Sequence, residues 1–443
     1  MVRFLRSLYL STRLFWLLGG LVLGFVVGFF VPWVTALAKG GVLALAAASL
    51  VDAWMLWRSG GIRARREAPD RFSNGDENPV DLVLANDYGF PVRLDVIDEV
   101  PVQFQVRDER FGLALGAGEE RRFRYTLRPT ERGEYHFGAV LAYAAGPIGL
   151  LLRRFRAEAD QQVQVYPSFI QMRRYAFLAT SNRLEEVGVK RVRRLGRTME
   201  FDQIREYVAG DDPRTINWQA TARRGGLHVN QYQDERSQPV YAVIDMGRTM
   251  EAPFEGMTLL DYAINASLVL LNTALLKNDR AGLVTFGSSV ETVVRAERRP
   301  AHIYRILEAL YNQETTFREP NFEALYATTR QHVHGRGLLL LFTNFETRAG
   351  LERQLPYLRA LARSHLVVVV FFENTGLHEL RTAPAKTTED LYVKTVAEKL
   401  DWEKREIVRE LNRHGVQALL TTPDALTVDT INRYLEVKAR GLL

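Results

Sequence analysis

Two long apolar runs near the N-terminus constrain the fold of this 443-residue chain more than any other feature. The first covers residues 14–34 without a single charge, and at about 1.5 Å per residue it can cross a hydrocarbon core about 30 Å thick. The second covers residues 41–57 and follows a connection whose only charge is Lys39. The first run is too long for a signal-peptide core and has no small-residue cleavage site, so we predict a two-span membrane hairpin.

The charges around the hairpin predict its orientation, because cytoplasmic loops carry an excess of Lys and Arg. We therefore expect a multi-pass inner-membrane protein with both termini and all soluble domains in the cytoplasm. Asp52 lies in the second run, where a carboxylate is either a proton or ion site or a partly hydrated or helix-paired group near the headgroups. Two helices are too few for a transport path, which favours the second interpretation. The flanking arginines are Arg3, Arg6 and Arg13 before the hairpin, and Arg58, Arg63, Arg65 and Arg66 after it.

After the hairpin and its basic flanks, residues 1–66, the apolar pattern changes to a period of two. Turn-forming segments such as NDYGFP, GAGEE and TERG separate the runs, which predicts an all-β sandwich of immunoglobulin-like type over residues 67–167. Such a domain between a membrane anchor and a larger domain is typically a spacer or docking module. The seven predicted strands are VDLVL, VRLDVID, VQFQV, RRFRYTL, EYHFGAVLAY, LLLRRFR and QVQVYP.

Residues 168–238 form a charge-rich segment with two competing interpretations. Gly210 predicts a turn, and Asp212 followed by Pro213 predicts a capped helix of about ten residues that ends near Arg223. The charges indicate either a salt-bridged structural or partner-binding network or the catalytic carboxylates of a hydrolase. Pairing with arginine lowers a carboxylate pKa, which favours the first interpretation. The candidate residues are Arg205, Glu206, Tyr207, Gly210, Asp211, Asp212, Arg214, Asn217, Trp218 and Arg223.

A basic cluster, KRVRRLGR at residues 190–197, precedes this segment and could contact nucleic acid, anionic lipid or an acidic partner. Nucleic acid is the weakest of these options, because no recognition helix or stacking aromatic platform accompanies the charges. The formal charge of +6 is a mild excess for this length. The absence of cysteine excludes disulfides, thiolate metal sites and a cysteine nucleophile.

Strands and helices alternate from residue 239 to residue 443. The near-continuous apolar strands predict a doubly wound, mostly parallel sheet, with VETVV as a hairpin partner and the longest helix at about residues 389–412. Ligands approach the carboxyl ends of such strands, so the loops after Asp245, Phe286 and Thr343 form the candidate functional face. We identify no catalytic residues, since phosphate-binding, G-x-S-x-G and H-E-x-x-H motifs are absent. The five buried strands are PVYAVID, AGLVTF, GLLLLFT, HLVVVVFF and VQALLTT.

The run REYVAGDDPRTINWQATAR at residues 205–223, followed by a strand that ends in DMGRT, resembles the bacterial family called domain of unknown function fifty-eight. The whole chain follows that family's layout of membrane hairpin, β-sandwich, signature segment and von Willebrand factor A-like domain. The resemblance implies cooperation with a MoxR-type AAA+ ATPase in assembly, maturation or activation of a client complex. It implies no known reaction.

The resemblance also implies a metal-ion-dependent adhesion site with the pattern D-x-S-x-S, a Thr from a second loop and an Asp from a third. Asp245 and Thr249 match, but Gly247 replaces the first Ser and Asn344 stands where Asp is expected. The second-loop Thr is Thr315 or Thr316 in an uncertain register. Mg²⁺ prefers carboxylate oxygens, so we expect a degenerate face that binds partner protein without a metal.

We therefore interpret the chain as a non-enzymatic, membrane-anchored cytoplasmic scaffold that recruits an ATPase and an unidentified client protein. One alternative is a metal-dependent ligand-binding module that holds Mg²⁺ at Asp245, Thr249 and Asn344. A second alternative is a hydrolase that uses Glu206, Asp211 or Asp212.

Overall fold

The computed structural model of the protein describes residues 2–58, 60–105, 110–157, 161–180, 184–190, 199–234, 237–373, 375–382 and 384–442. The chain divides into two compact units, Met1–Tyr166 and Pro167–Leu443. The apolar hairpin and the β-rich region both lie in the first unit. The basic cluster predicted at residues 190–197 lies outside the described residues, apart from Lys190.

The first unit begins with two helices that are long and apolar enough to cross a membrane. Their side chains are mostly exposed, which fits a membrane anchor. A third helix of similar length and hydropathy, Leu259–Leu276, is 83% buried in the second unit and is therefore a core helix. The N-terminal elements are α1 (Val2–Leu5), β1 (Leu8–Leu10), α2 (Thr12–Phe30) and α3 (Pro32–Arg58).

The rest of the first unit is built from antiparallel and mixed sheets around one apolar core. Strands pair in the orders β1-β10-β9-β5-β6, β2-β4-β7 and β3-β11-β8. The strands are β2 (Ile62–Glu67), β3 (Arg71–Ser73), β4 (Asn78–Asn86), β5 (Val92–Asp98), β6 (Arg110–Leu115), β7 (Glu120–Leu127), β8 (Gly133–Phe137), β9 (Val140–Ala145), β10 (Leu151–Ala157) and β11 (Gln161–Tyr166).

Two strand predictions in this unit are wrong, and one strand was missed. The segment after the hairpin forms β2, with Ile62, Ala64 and Arg66 turned inward, and Arg66 pairs with the buried carboxylate of Asp98. Part of the expected strand VQFQV is a turn of 3-10 helix at Val102–Phe104. The run EYHFGAVLAY is two strands, β8 and β9, which belong to different sheets.

Asp52 joins the hairpin to the β-rich region. Its carboxylate is fully buried and accepts hydrogen bonds from the backbone N–H groups of Ile148 (3.3 Å), Leu150 (2.9 Å) and Leu151 (2.9 Å). A Cβ on Gly146 would lie 2.0 Å from Asp52 Oδ1, so the turn between β9 and β10 needs glycine there. Neither interpretation of Asp52 from the sequence anticipated these contacts.

The second unit contains a six-stranded sheet in the order β18-β17-β14-β19-β20-β21, parallel except at β18. A separate ribbon, β12 with β13, precedes it, and β15 with β16 forms a small hairpin. The strands are β12 (Met199–Glu206), β13 (His228–Asp234), β14 (Pro239–Asp245), β15 (Pro253–Phe254), β16 (Met257–Thr258), β17 (Arg280–Phe286), β18 (Val290–Glu297), β19 (Leu338–Phe342), β20 (Leu366–Phe372) and β21 (Gln417–Thr421).

Helices cover this sheet, as the apolar strands predicted. The core helix Leu259–Leu276 is buried nearly all round because strands β14 and β17 and three helices contact it. A helix with apolar residues on every side is stable only when it is enclosed in this way. The helices are α4 (Phe169–Thr180), α5 (Trp218–Arg224), α6 (Leu259–Leu276), α7 (His302–Tyr311), α8 (Phe322–His332), α9 (Arg348–Ser364), α10 (Thr375–Thr382), α11 (Thr388–Arg413) and α12 (Leu426–Ala439).

The contacts of Asp52 predict the effect of its removal. Asp52→Ala leaves three backbone N–H groups without their acceptor, which should lower the free energy of unfolding of the first unit by about 2–4 kcal/mol. Proteolysis of the detergent-solubilised chain should then cut the segment at residues 146–151 faster. Val51→Ala, on the exposed side of α3, is the matched control and should behave as wild type. Equal protease resistance of both variants would show that Asp52 does not hold this turn.

Candidate functional site

The candidate site lies at the carboxyl ends of β14 and β19, and Asp245 is its centre. The side chain of Asp245 is fully buried. Its Oδ1 accepts a hydrogen bond from Gly247 N at 2.7 Å, and its Oδ2 accepts one from Thr343 Oγ1 at 2.6 Å. Burial raises the pKa of Asp245 to about 6, and these two hydrogen bonds oppose part of that rise.

Gly247 stands where the adhesion-site pattern has its first Ser, and the structure leaves no space there for a side chain. A Cβ at this position would lie 2.7 Å from Pro320 Cδ and 3.1 Å from the carbonyl oxygen of Arg318. Real Cβ atoms essentially never come as close as 2.7 Å to another heavy atom. The packing of the loop therefore leaves no room for a Ser at this position.

Asn344, the residue in place of the third-loop Asp, is fully engaged with neighbouring groups. Its Nδ2 donates to the backbone oxygen of Thr249 at 3.3 Å, which connects the first and third loops. Its Oδ1 accepts a hydrogen bond from Lys404 Nζ at 2.6 Å. The structure thus brings Asp245, Thr249 and Asn344 together, as the pattern predicted, but with internal partners.

Lys404 is the functional candidate that the sequence did not reveal. Its side chain extends from α11, is 8% exposed, and also donates to the backbone oxygen of Phe372 at 2.8 Å. Burial lowers the pKa of Lys404 to about 8, while the nearby carboxylates of Glu346 and Glu373 act to raise it. Lys404 and Asn344 line a cavity of about 360 Å³ with apolar walls, among them Phe254 and Leu400.

A second, smaller cavity of about 90 Å³ lies on the other side of Asn344, where Asp245 and Thr249 line it. Both second-loop candidates lie beside the first loop. The hydroxyl of Thr316 donates to Met246 O at 3.1 Å, and that of Thr315 donates to Glu251 Oε2 at 2.5 Å. Among the described residues, no cluster of three or more His, Asp or Glu side chains has metal-binding geometry.

The signature segment forms a separate charged cluster in the same unit. Arg205 binds Asp211 through two hydrogen bonds of 2.8 and 2.6 Å, and Val208 N donates to Asp211 at 2.9 Å. The hydrogen bonds from Arg205 and Val208 hold the pKa of Asp211 below its usual value. A carboxylate held in this way is a poor general acid.

The predicted helix from Pro213 to about Arg223 is wrong. The chain forms a 3-10 turn at Pro213–Thr215, extends at Ile216, which bridges to Val229, and begins α5 only at Trp218. Asp212 caps the first turn and Asn217 caps α5. Because Asp212 and Asn217 each cap a separate helical turn, the chain forms two short helical elements instead of the single helix that we predicted.

The remaining signature residues surround this cluster. The backbone N–H of Tyr207 donates to Leu227 O at 2.8 Å, and Gly210 has a positive φ of 113° that favours glycine. The indole of Trp218 is 69% exposed. Three charged side chains of this set are also exposed and point into solvent: Glu206, Arg214 and Arg223.

The fold and the site define a protein with an apolar helical hairpin, a β-rich region and a mixed α/β unit. The family described as "Protein of unknown function DUF58" matches residues 203–399, which confirms the resemblance over that range. An uncharacterised protein of Bacillus subtilis, YeaD, is 25% identical over 165 residues. That alignment spans 37% of this chain and 38% of the Bacillus protein, so it covers well under half of either sequence.

Two solved structures align with 46% of this chain and with their own full length. One is an aerotolerance-related membrane protein from Bacteroides fragilis, with 11% identity and a TM-score of 0.31. The other is the conserved hypothetical protein BatB from Bacteroides thetaiotaomicron, with 12% identity and a TM-score of 0.31.

The raised pKa of Asp245 predicts a dependence of stability on pH. The folded carboxyl titrates near pH 6 and the unfolded one near pH 4, so the folded state binds more protons between these values and its stability falls as the pH rises through them. Asp245→Asn replaces the carboxyl group with an uncharged amide, so it should abolish this decrease in stability with rising pH. We expect it to raise the free energy of unfolding by about 1–3 kcal/mol at pH 7.5 and to change it little at pH 4.

Hydrogen exchange of the β14 amides, compared with wild type at each pH, measures this effect. Asp424→Asn, an exposed site after β21, is the control and should leave exchange unchanged at both pH values. Faster exchange of β14 in Asp245→Asn at pH 7.5 would mean that the ionised carboxylate stabilises the fold.

Proposed function

We propose that this chain is a membrane-anchored, non-enzymatic scaffold whose soluble parts face the cytoplasm at the inner membrane. It works with a MoxR-type AAA+ ATPase in the assembly, maturation or activation of a client complex. The helices α2 and α3 support the anchor, and the arginines that flank them support the cytoplasmic orientation. The match to the DUF58 family supports the comparison with chains of this layout.

The proposal includes a von Willebrand factor A-like fold for the α/β unit. The sheet order supports this, because β14 lies between β17 and β19 and the chain changes direction across the sheet at that point. Ligands of doubly wound sheets bind where the connections that follow two neighbouring parallel strands run toward opposite sides of the sheet. The loops after β14 and β19 meet there, and they carry Asp245 and Asn344.

One observation supports metal-free protein binding at this face more than any other: the Lys404 ammonium group is bonded to Asn344. An adhesion site places a divalent cation among oxygen ligands from the first and third loops. In this chain the third-loop oxygen already binds an internal cation, and both oxygens of Asp245 accept internal hydrogen bonds. A partner protein would therefore bind this face through shape complementarity and hydrogen bonds, and not through an open coordination position on a metal.

The hydrolase alternative has weaker support. Asp211 is paired with Arg205, and Asp212 accepts a hydrogen bond from Arg214 N in a solvent-exposed turn. The hydrogen bonds from Arg205 and Val208 hold the pKa of Asp211 below its usual value, whereas a general acid requires a pKa near neutrality. We therefore assign this cluster a structural or partner-binding role.

Co-purification from native membranes tests the partnership. The full chain should recover an AAA+ ATPase, and the recovery should change when ATP is added. Glu346→Arg reverses an exposed charge at the rim of the larger cavity, and it should reduce recovery about tenfold or more if this face binds the partner.

Glu297→Arg is a charge-reversal control, because Glu297 pairs with the start of β17, at the end of the strands away from the loops after β14 and β19. It should leave recovery unchanged. Failure to recover any AAA+ ATPase with the wild-type chain would contradict the partnership. An equal loss of ATPase recovery in both variants would show that the partner does not bind specifically at the face around Glu346.

A further inference from the structure

A cavity of about 520 Å³ in the first unit carries positive charge at the start of the first membrane helix. The residues at its mouth include Thr12 and Arg13 from the first turn of α2, Arg93 and Asp95 from β5, and Pro147 from the turn before β10. All of these groups belong to one compact unit. Apart from the contribution of Arg13 to the orientation of the hairpin, the function proposed above makes no use of them.

The two arginines of this cavity have no ion-pair or hydrogen-bond partner in the described part of the chain. Other exposed arginines of the same unit do pair: Arg63 binds Asp87, and Arg124 binds Asp81. The Arg13 guanidinium lies over Gly149, where a Cβ would come within 3.1 Å of Nη1 and where φ is 76°. The backbone at Gly149 thus leaves space for an unpaired guanidinium at the cavity.

The position of this cavity relative to the membrane follows from helix length. The 19 residues of α2 extend over about 28 Å, close to the thickness of a hydrocarbon core, so its first turn lies at the headgroup level. The next side chains of α2, Phe15, Trp16 and Leu17, are largely exposed and apolar. A lipid whose headgroup enters the cavity can therefore lay its acyl chains along the start of α2.

We propose that this cavity binds the phosphodiester headgroup of an anionic phospholipid such as phosphatidylglycerol. Arg13 and Arg93 bind the phosphate oxygens, because guanidinium groups donate paired hydrogen bonds to phosphate. The start of α2 adds the partial positive charge of a helix N-terminus. The Asp95 carboxylate accepts hydrogen bonds from the headgroup hydroxyls. Two arginines and one aspartate leave one positive charge, which the single charge of this lipid neutralises.

Native mass spectrometry of the full chain tests this proposal after equilibration with an equal mixture of phosphatidylglycerol and phosphatidylcholine. The wild type should retain phosphatidylglycerol in preference. Each arginine near an anionic membrane surface contributes about 1 kcal/mol, so Arg13→Gln and Arg93→Gln should each reduce that preference about fivefold. The double variant should retain the two lipids equally, and Arg13→Lys should keep part of the preference.

Arg156→Gln is the charge-matched control, since Arg156 is an exposed residue of β10 about 13 Å along the strand from Leu152 at the cavity. It should behave as wild type. An unchanged preference in the double variant, or an equal loss in the control, would overturn the proposal. Displacement of the retained lipid by excess inorganic phosphate would assign the cavity to a soluble phosphate group and would also overturn it.

Discussion

The buried ammonium group of Lys404 determines how the carboxyl edge of the α/β sheet is built. It connects α11 to the ends of two strands, through Asn344 after β19 and the carbonyl oxygen of Phe372 in β20. Burying a cation without an ion-pair partner is costly, and hydrogen bonds to neutral groups offset only part of that cost. Its two acceptors are neutral and its nearest carboxylates are exposed, which explains why burial lowers the pKa of Lys404 to about 8.

The first unit satisfies its buried charges with internal partners as well. Asp52 accepts three backbone hydrogen bonds from one turn, and Arg66 pairs with Asp98, whose carboxylate also accepts a hydrogen bond from Tyr125. Removing one member of such a buried set leaves an uncompensated group and costs more than the set itself contributes. The apolar hairpin is therefore joined to the β-rich region by the hydrogen bonds to Asp52, and β1 is joined to it by pairing with β10.

The sequence was sufficient to predict the buried parallel strands, because apolar runs such as LVVVVFF in β20 have few alternatives. The departures of Gly247 and Asn344 from the adhesion-site pattern are visible in the sequence itself. The role of Lys404 is not visible there, because Lys404 lies 60 residues beyond Asn344 on a helix with many charges, and only the fold brings the two together. Strand β2 was missed for a related reason. Arg66 belongs to a run of arginines that resembles an exposed basic flank, and only the fold brings Asp98 beside it as a buried partner.

Titration of the purified chain with Mn²⁺ tests most directly the claim that this face is complete without a metal. Paramagnetic resonance distinguishes free from bound Mn²⁺ and needs no knowledge of the partner. We expect no binding tighter than about millimolar, because only one of the two carboxylates of the adhesion-site pattern is present and both oxygens of Asp245 already accept hydrogen bonds. Micromolar binding that Asp245→Ala abolishes would contradict it and would establish a working adhesion site.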